Sequence, residues 1–233
     1  MTPSRSSIAR ATIAIVALGI ALAACTTGTS PAPSQAPSAV PAASPSSAAT
    51  APASGGAPAG CPTGPPAGLA AGESRNVAIE TAQGNLTITV HGDWSPLAAG
   101  NFAALAGCGF YDGVVFHRLV PGFVIQGGDP TASGSGGPGY GIKDEEVTQR
   151  YRRGIVAMAR TQQPDSQGSQ FFIILADDAE SSLLSAAFPY ALFGEVSAGM
   201  DTVDKIAAMP NSGPPSNSAL QPVAMDRLTV TTP

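Results

Sequence analysis

An all-β barrel is the architecture this sequence predicts. Three observations predict it: about eight short β-rich runs, connections dense in Gly and Pro, and only two stretches with helical spacing. The runs at 77–81 and 86–90 flank Gln83-Gly84-Asn85 and read as a hairpin. Ser95-Pro96 then opens a helix, Ser as N-cap and Pro at the first helical position. Leu97, Phe102, Leu105 and Ala106 share one face of it, and Gly107 to Gly109 ends it. Runs at 114–119 and 123–126 are joined across Pro121-Gly122. After a Gly/Ser/Pro-rich loop at 131–141, the runs at 155–159 and 170–175 are continuously apolar, as strands buried on both faces are. A strand at 191–196 follows, then a helix at 199–209 with Met200, Val203 and Ile206 on one side, and a last strand at 227–230.

The 233 residues divide unevenly. Residues 1–24 read as an export signal: Arg5 and Arg10 supply a positive start, and 11–23 is apolar and uncharged. That stretch is short of the roughly 20 apolar residues a membrane span needs. It ends Leu22-Ala23-Ala24-Cys25, which resembles the bacterial lipobox, where cleavage before the Cys leaves an acylated N-terminus. Cys25 is therefore the expected lipidation site and the membrane anchor. Residues 25–68 repeat Pro, Ala, Ser and Gly without hydrophobic periodicity, the composition of a flexible tether. The folded domain is assigned to 69–233, long enough to bury a sizeable core. The expected location is extracytoplasmic, on the cell membrane.

All sixteen acidic residues follow Cys25, while two of the eleven basic residues precede it, so the mature chain carries 9 − 16 = −7. With Lys143 and Lys205 its only lysines, the chain has no basic run for a nucleic-acid partner. Beyond the lipidated Cys25, Cys61 and Cys108 remain, and outside the cytoplasm paired thiols tend to oxidise. A Cys61–Cys108 disulfide is preferred over two unpaired thiols.

The run Phe116-His117-Arg118-Leu119-Val120-Pro121-Gly122-Phe123-Val124-Ile125-Gln126-Gly127-Gly128-Asp129 resembles the central signature of the cyclophilins. Asn101-Phe102 and Gly109-Phe110-Tyr111-Asp112-Gly113 resemble the segment before that signature. Gly137-Pro138-Gly139-Tyr140, Gly154-Ile155-Val156-Ala157-Met158-Ala159, Gly168-Ser169-Gln170-Phe171-Phe172-Ile173 and Phe193-Gly194 follow in family order. The resemblance implies a closed eight-stranded antiparallel barrel with a helix over each end. It also implies peptidyl-prolyl cis-trans isomerase activity on the outer face, without cofactor or metal. Its partners would be proline-containing segments of exported polypeptides, with the enzyme a monomer.

By that resemblance Arg118 is the catalytic residue and Gln126 orients it. Phe123, Val124 and Phe172 form the proline pocket, with Tyr190 at its edge. Ala159, Arg160 and Gln170 line the groove for the residues before proline. The aromatic wall usual in the family is absent, since Trp94 is the one tryptophan and lies far upstream. Leu183 or Leu184 must supply that wall, with Leu184 assigned. The residue types suit the chemistry: an arginine stays charged, and its planar fork can reach a prolyl nitrogen that becomes pyramidal as the amide twists.

Other readings are weaker. A hydrolase built from His117, Asp129 and Ser169 lacks a nucleophile-elbow pattern. Ser133 to Gly141 resembles a phosphate loop only superficially, since no Gly-Lys-Ser/Thr follows, and it reads as a surface loop. Phe102, Phe110, Phe116, Phe171 and Phe188 are expected in the core or packed locally, not at a ligand. The principal functional alternative is a chaperone or scaffold module that grips proline segments with little turnover.

Overall fold

A computed structural model describes residues 57–184 and 189–233. The export signal, Cys25, most of the tether and Phe188 lie outside the described residues. Strands β1 (Ser74–Thr81) and β2 (Gly84–His91) form the expected hairpin, with Val77 opposite Ile88 and Ile79 opposite Leu86. Their inward residues are buried and the alternate ones are not, the pattern of strands packed on one face. Helix α1 (Pro96–Gly107) follows, then β3 (Val115–Val120) and β4 (Val124–Gly127). β5 (Ile155–Met158) and β6 (Phe171–Ile174) are buried at every position. A 3₁₀ turn (Asp177–Ala179) leads into a five-residue helix α2 (Glu180–Leu184). β7 (Leu192–Ala198), α3 (Met200–Ala207), β8 (Ser218–Ala224) and β9 (Arg227–Thr231) complete the order.

All nine strands belong to one antiparallel sheet in the order β8-β3-β4-β6-β5-β7-β2-β1-β9. The fold is all-β, as expected, but the sheet is curled rather than closed, and the described residues form nine strands with three α-helices. Its two edges, β8 and β9, are consecutive in the chain and joined only through Met225-Asp226; no ladder pairs them. β8 is the strand that sequence patterning misses, because Pro222 interrupts its run. Proline cannot donate to a ladder, and here it sits where it is tolerated, on an edge strand.

The interior is an aromatic cluster. Phe102 of α1 packs on Tyr111, Phe171 and Phe193 with ring centroids 5.0–5.2 Å apart. Phe110 and Phe116 are buried beside them. α1 is covered on nearly every side, not on one face as its spacing suggests, because residues 61–70 lie across it. The Leu69 N–H bonds Pro96 O at 3.1 Å, and a methyl group on Gly100 would sit 2.4 Å from Ala67 O. Cys61 joins this core and is disulfide-bonded to Cys108 at the end of α1. Packed chain thus begins ahead of residue 69, inside the segment that composition assigns to the tether.

Pro96 stands at the first turn of α1 as expected, but Ser95 makes no side-chain cap bond. Glu145 replaces it: its two carboxylate oxygens accept the Leu97 and Ala98 N–H groups at 2.8 and 2.9 Å. This long-range cap satisfies orphan donors of the helix and fixes the 140s loop on α1.

Candidate active site

The site is built on one row of cross-strand partners. Arg118 of β3 faces Gln126 of β4, Gln126 faces Phe172 of β6, Phe172 faces Ala157 of β5, and Ala157 faces Leu192 of β7. Directly opposite residues project to the same face of a sheet. This face is the outer one: Val124, Ala157, Phe172, Ile174 and Leu192 form an apolar cluster separate from the interior core.

Arg118 reaches that face because of an irregularity in β3. Phe116 and Leu119 both enter the interior core, although residues three apart on a regular strand point to opposite faces. The register against β4 shifts between Phe116 and Arg118, so His117 is an extra residue, a β-bulge. The bulge reverses the alternation and turns Arg118 outward, a common use of bulges beside active sites.

Arg118 Nη1 donates to Gln126 Oε1 at 3.3 Å, Gln126 Nε2 donates to Gln170 Oε1 at 2.9 Å, and Gln170 Nε2 donates to Gly136 O at 2.9 Å. Each amide accepts from one neighbour and donates to the next, so every dipole in the chain is oriented. Beside Arg118 lies a cavity of about 190 Å³ lined by Phe123, Val124, Phe172, Leu183, Tyr190, Ala159 and Arg160, among others. It is smaller than the roughly 300–1,000 Å³ of pockets for whole small molecules, a slot for one side chain. The Tyr190 ring meets Phe172 edge-on at 5.1 Å. A second recess of about 390 Å³ shares Gln126, Ala159 and Arg160 with the first, so the two form one groove.

The structure brings together nine of the predicted side chains: Arg118, Phe123, Val124, Gln126, Ala159, Arg160, Gln170, Phe172 and Tyr190 all line this groove. Leu184 is the exception. It is 61 % exposed, and Leu183, 5 % exposed, supplies the wall. The turn of α2 decides between them, since adjacent helical residues point about 100° apart. Arg160 contributes its stem. Its guanidinium pairs with Asp144 at 2.9 Å and donates to the Thr161 and Gln163 carbonyls.

The loop at 131–141 lies on the surface as expected and also walls the larger recess, through Gly134 to Tyr140. Asp129 organises it, accepting the backbone N–H groups of Thr131, Gly134 and Gly136 and the Thr131 hydroxyl. Burial opposes the Asp129 charge, but these bonds outweigh it and hold the pKa below the usual carboxylate value. Gly128, at φ +86°, is required where the chain leaves β4, since a Cβ there would lie 2.4 Å from Ser169 O. Asn101 has a role that sequence patterning does not show. Fully buried on α1, it donates to Gly168 O at 2.7 Å and accepts the Tyr140 hydroxyl at 2.8 Å, tying both sides of the recess together. No hydrolytic triad forms: the Ser169 hydroxyl is given to Gly128 O, and the Asp129 carboxylate is occupied by its own loop.

Comparison with known proteins agrees with this geometry. Residues 76–230 match the family model described as cyclophilin type peptidyl-prolyl cis-trans isomerase/CLD. A peptidyl-prolyl cis-trans isomerase of Acinetobacter baylyi is 41 % identical over 151 residues, 63 % of this chain and 80 % of that protein. Peptidyl-prolyl cis-trans isomerase A of Dickeya dadantii is 36 % identical over 159 residues, 65 % of this chain and 82 % of the relative. A crystal structure of a cyclophilin type isomerase from Cryptosporidium parvum, determined in the presence of the dipeptide Ala-Pro, superposes with a TM-score of 0.60 at 32 % identity. The match covers 68 % of this chain and 99 % of that one.

Proposed function

The chain belongs to the cyclophilin type peptidyl-prolyl cis-trans isomerase family, and we propose that it uses Arg118 to carry prolyl bonds of exported proteins through their twisted form. The isomerisation breaks no covalent bond. Its obstacle is amide resonance, a barrier of about 18–20 kcal/mol. As the X–Pro bond twists, the prolyl nitrogen recovers its lone pair and becomes an acceptor. A donor fixed there stabilises the twisted form more than either planar isomer, which is the condition for catalysis.

One observation carries this reading: the Arg118 guanidinium, held by Gln126, stands at the mouth of an apolar slot made by Phe123, Val124, Phe172, Leu183 and Tyr190. The slot takes the proline ring, and Gln126 and Gln170 turn Arg118 toward its nitrogen. The residues before proline run past Ala159 toward the larger recess. A protease-coupled isomerase assay on a proline tetrapeptide tests it: Arg118→Ala should lose most of kcat/KM while keeping its fold. Retained turnover would sink the assignment. Peptide binding with no turnover by the wild type would instead favour the chaperone alternative.

The place of action is the second part of the proposal. Arg5, Arg10, the apolar run to Ala24 and Cys25 read as a lipoprotein signal, and the Cys61–Cys108 disulfide fits an oxidising compartment. The enzyme would then serve polypeptides folding beyond the membrane, on a lipid anchor. Cys25→Ser should release it from the membrane fraction and abolish acylation; a variant that stays bound and acylated removes this part alone.

A further inference from the structure

Arg150, Tyr151 and Arg153, three residues of one short segment, grip the chain that walls the proline slot. The described wall is residues 175–184 and 189–190. At its start, Arg153 Nη1 donates to Leu175 O at 2.7 Å, and the Arg153 backbone N–H donates to Asp177 Oδ1 at 2.9 Å. In its middle, Arg150 holds Glu180 through two parallel bonds, Nε to Oε1 at 3.2 Å and Nη2 to Oε2 at 2.7 Å. At its end, the Tyr151 hydroxyl donates to Tyr190 O at 3.2 Å and accepts the Tyr190 N–H at 3.0 Å.

α2 has five residues, too few to hold a helix by its own bonds, so contacts from elsewhere must position Leu183. Tyr151 is suited to that task at the far end. It is 1 % exposed and packs within the outer apolar cluster that contains Val124, Phe172 and Leu183. Its single hydroxyl satisfies both backbone polar groups of Tyr190 in a place where unpaired ones are costly. The Tyr190 ring in turn closes on Phe172.

We propose that Tyr151 is a positioning residue of the isomerase: the segment 150–153 sets the width of the proline slot by holding Leu183 and Tyr190 against Phe172. The inference rests on reading that slot as the proline site. Tyr151 touches no reacting atom. It acts on how well proline binds, not on how the amide twists.

Tyr151→Phe keeps the ring in the cluster and removes only the oxygen. It should raise KM about fivefold with kcat within about twofold of wild type. Asp177→Ala unloads the opposite end of the wall from an exposed position and so avoids a folding defect. It should raise KM about twofold, again at constant kcat. If both variants keep the wild-type KM, or if kcat falls with KM constant, the positioning role is wrong. Arg118→Ala in the same series keeps the two claims apart. If it retains full turnover, the site assignment fails; if it is inactive while Tyr151→Phe and Asp177→Ala bind proline peptide normally, only the positioning role fails.

Discussion

Arg118 and Gln126 are direct partners across the β3–β4 ladder, and the Arg118 Nη1 atom bonds Gln126 Oε1 at 3.3 Å. A cross-strand pair fixes orientation as well as distance, because both side chains must leave the same face of the sheet. The pair therefore ties the guanidinium to the outer face that also carries Phe172.

If the charge alone mattered, Arg118→Lys would preserve activity. A lysine keeps the charge but loses the planar fork, so it cannot bond Gln126 while also addressing a prolyl nitrogen. Arg118→Lys and Arg118→Ala are both expected to lower kcat/KM, the alanine by about 10²-fold or more, the range for losing one transition-state donor. Thermal unfolding should barely move, since the side chain is only partly covered. A lysine variant with wild-type kcat/KM in the coupled assay would show that geometry is irrelevant.

Part of this site is legible in the sequence because Arg118, Phe123, Val124 and Gln126 fall in one contiguous signature, 116–129, built on the β3–β4 hairpin, and the other site residues fall in shorter segments that follow it in family order. What was not legible depends on three-dimensional packing. The His117 bulge shows only when Phe116 and Leu119 are both found inside. The choice of Leu183 over Leu184 follows from how a five-residue helix is rotated, which its own composition does not determine. Glu145 caps α1 from 47 and 48 residues away, beyond any local capping pattern. β8 hides behind Pro222, and Cys61 behind a tether composition that continues past the point where the chain is already packed.

The two leucines should separate cleanly. Leu183→Ala opens the slot and removes a buried side chain, so it is expected to destabilise by about 2 kcal/mol and to raise KM. Leu184→Ala removes an exposed side chain and should stay within about 0.5 kcal/mol of wild type with unchanged kinetics. Denaturant titration and the coupled assay on both variants check this. The reverse ranking would move the wall back to Leu184.

His117 should make stability, but not catalysis, depend on pH near neutrality. Burial is the main influence and lowers its pKa below 6.5; the nearby Asp129 and the Val115 backbone act oppositely without prevailing, and Arg118 acts with burial. On acidification the unfolded chain therefore binds a proton at about pH 6.5 while the folded chain stays neutral. In the window between the folded pKa and 6.5 the unfolded state holds more protons, so stability rises with pH. The contribution is complete above the unfolded value and disappears as pH falls through the folded one. Denaturation midpoints should drop across that window, and His117→Gln should flatten the drop. His117 is given no role in the proposed chemistry, so kcat/KM should be level between about pH 6.5 and 9. A midpoint curve that is equally steep in His117→Gln would assign the slope to another group.

The disulfide should matter to the fold and not to turnover. Cys61 and Cys108 are 47 residues apart, and their bond pins the incoming chain to the end of α1. Closing a loop of that size limits the unfolded ensemble by about 2–4 kcal/mol. Neither cysteine lines the groove; the bond to the groove from α1 comes from Asn101, nearer the helix start. Cys61→Ser with Cys108→Ser, or reductant on the wild type, should lower Tm by roughly 5–15 °C. At low temperature kcat/KM should stay within about twofold of wild type. If activity is lost before the fold, the strap of residues 61–70 must be transmitting strain through α1 and Asn101 to the recess wall. An unchanged Tm would mean that the chain packed over Gly100 holds without its covalent pin.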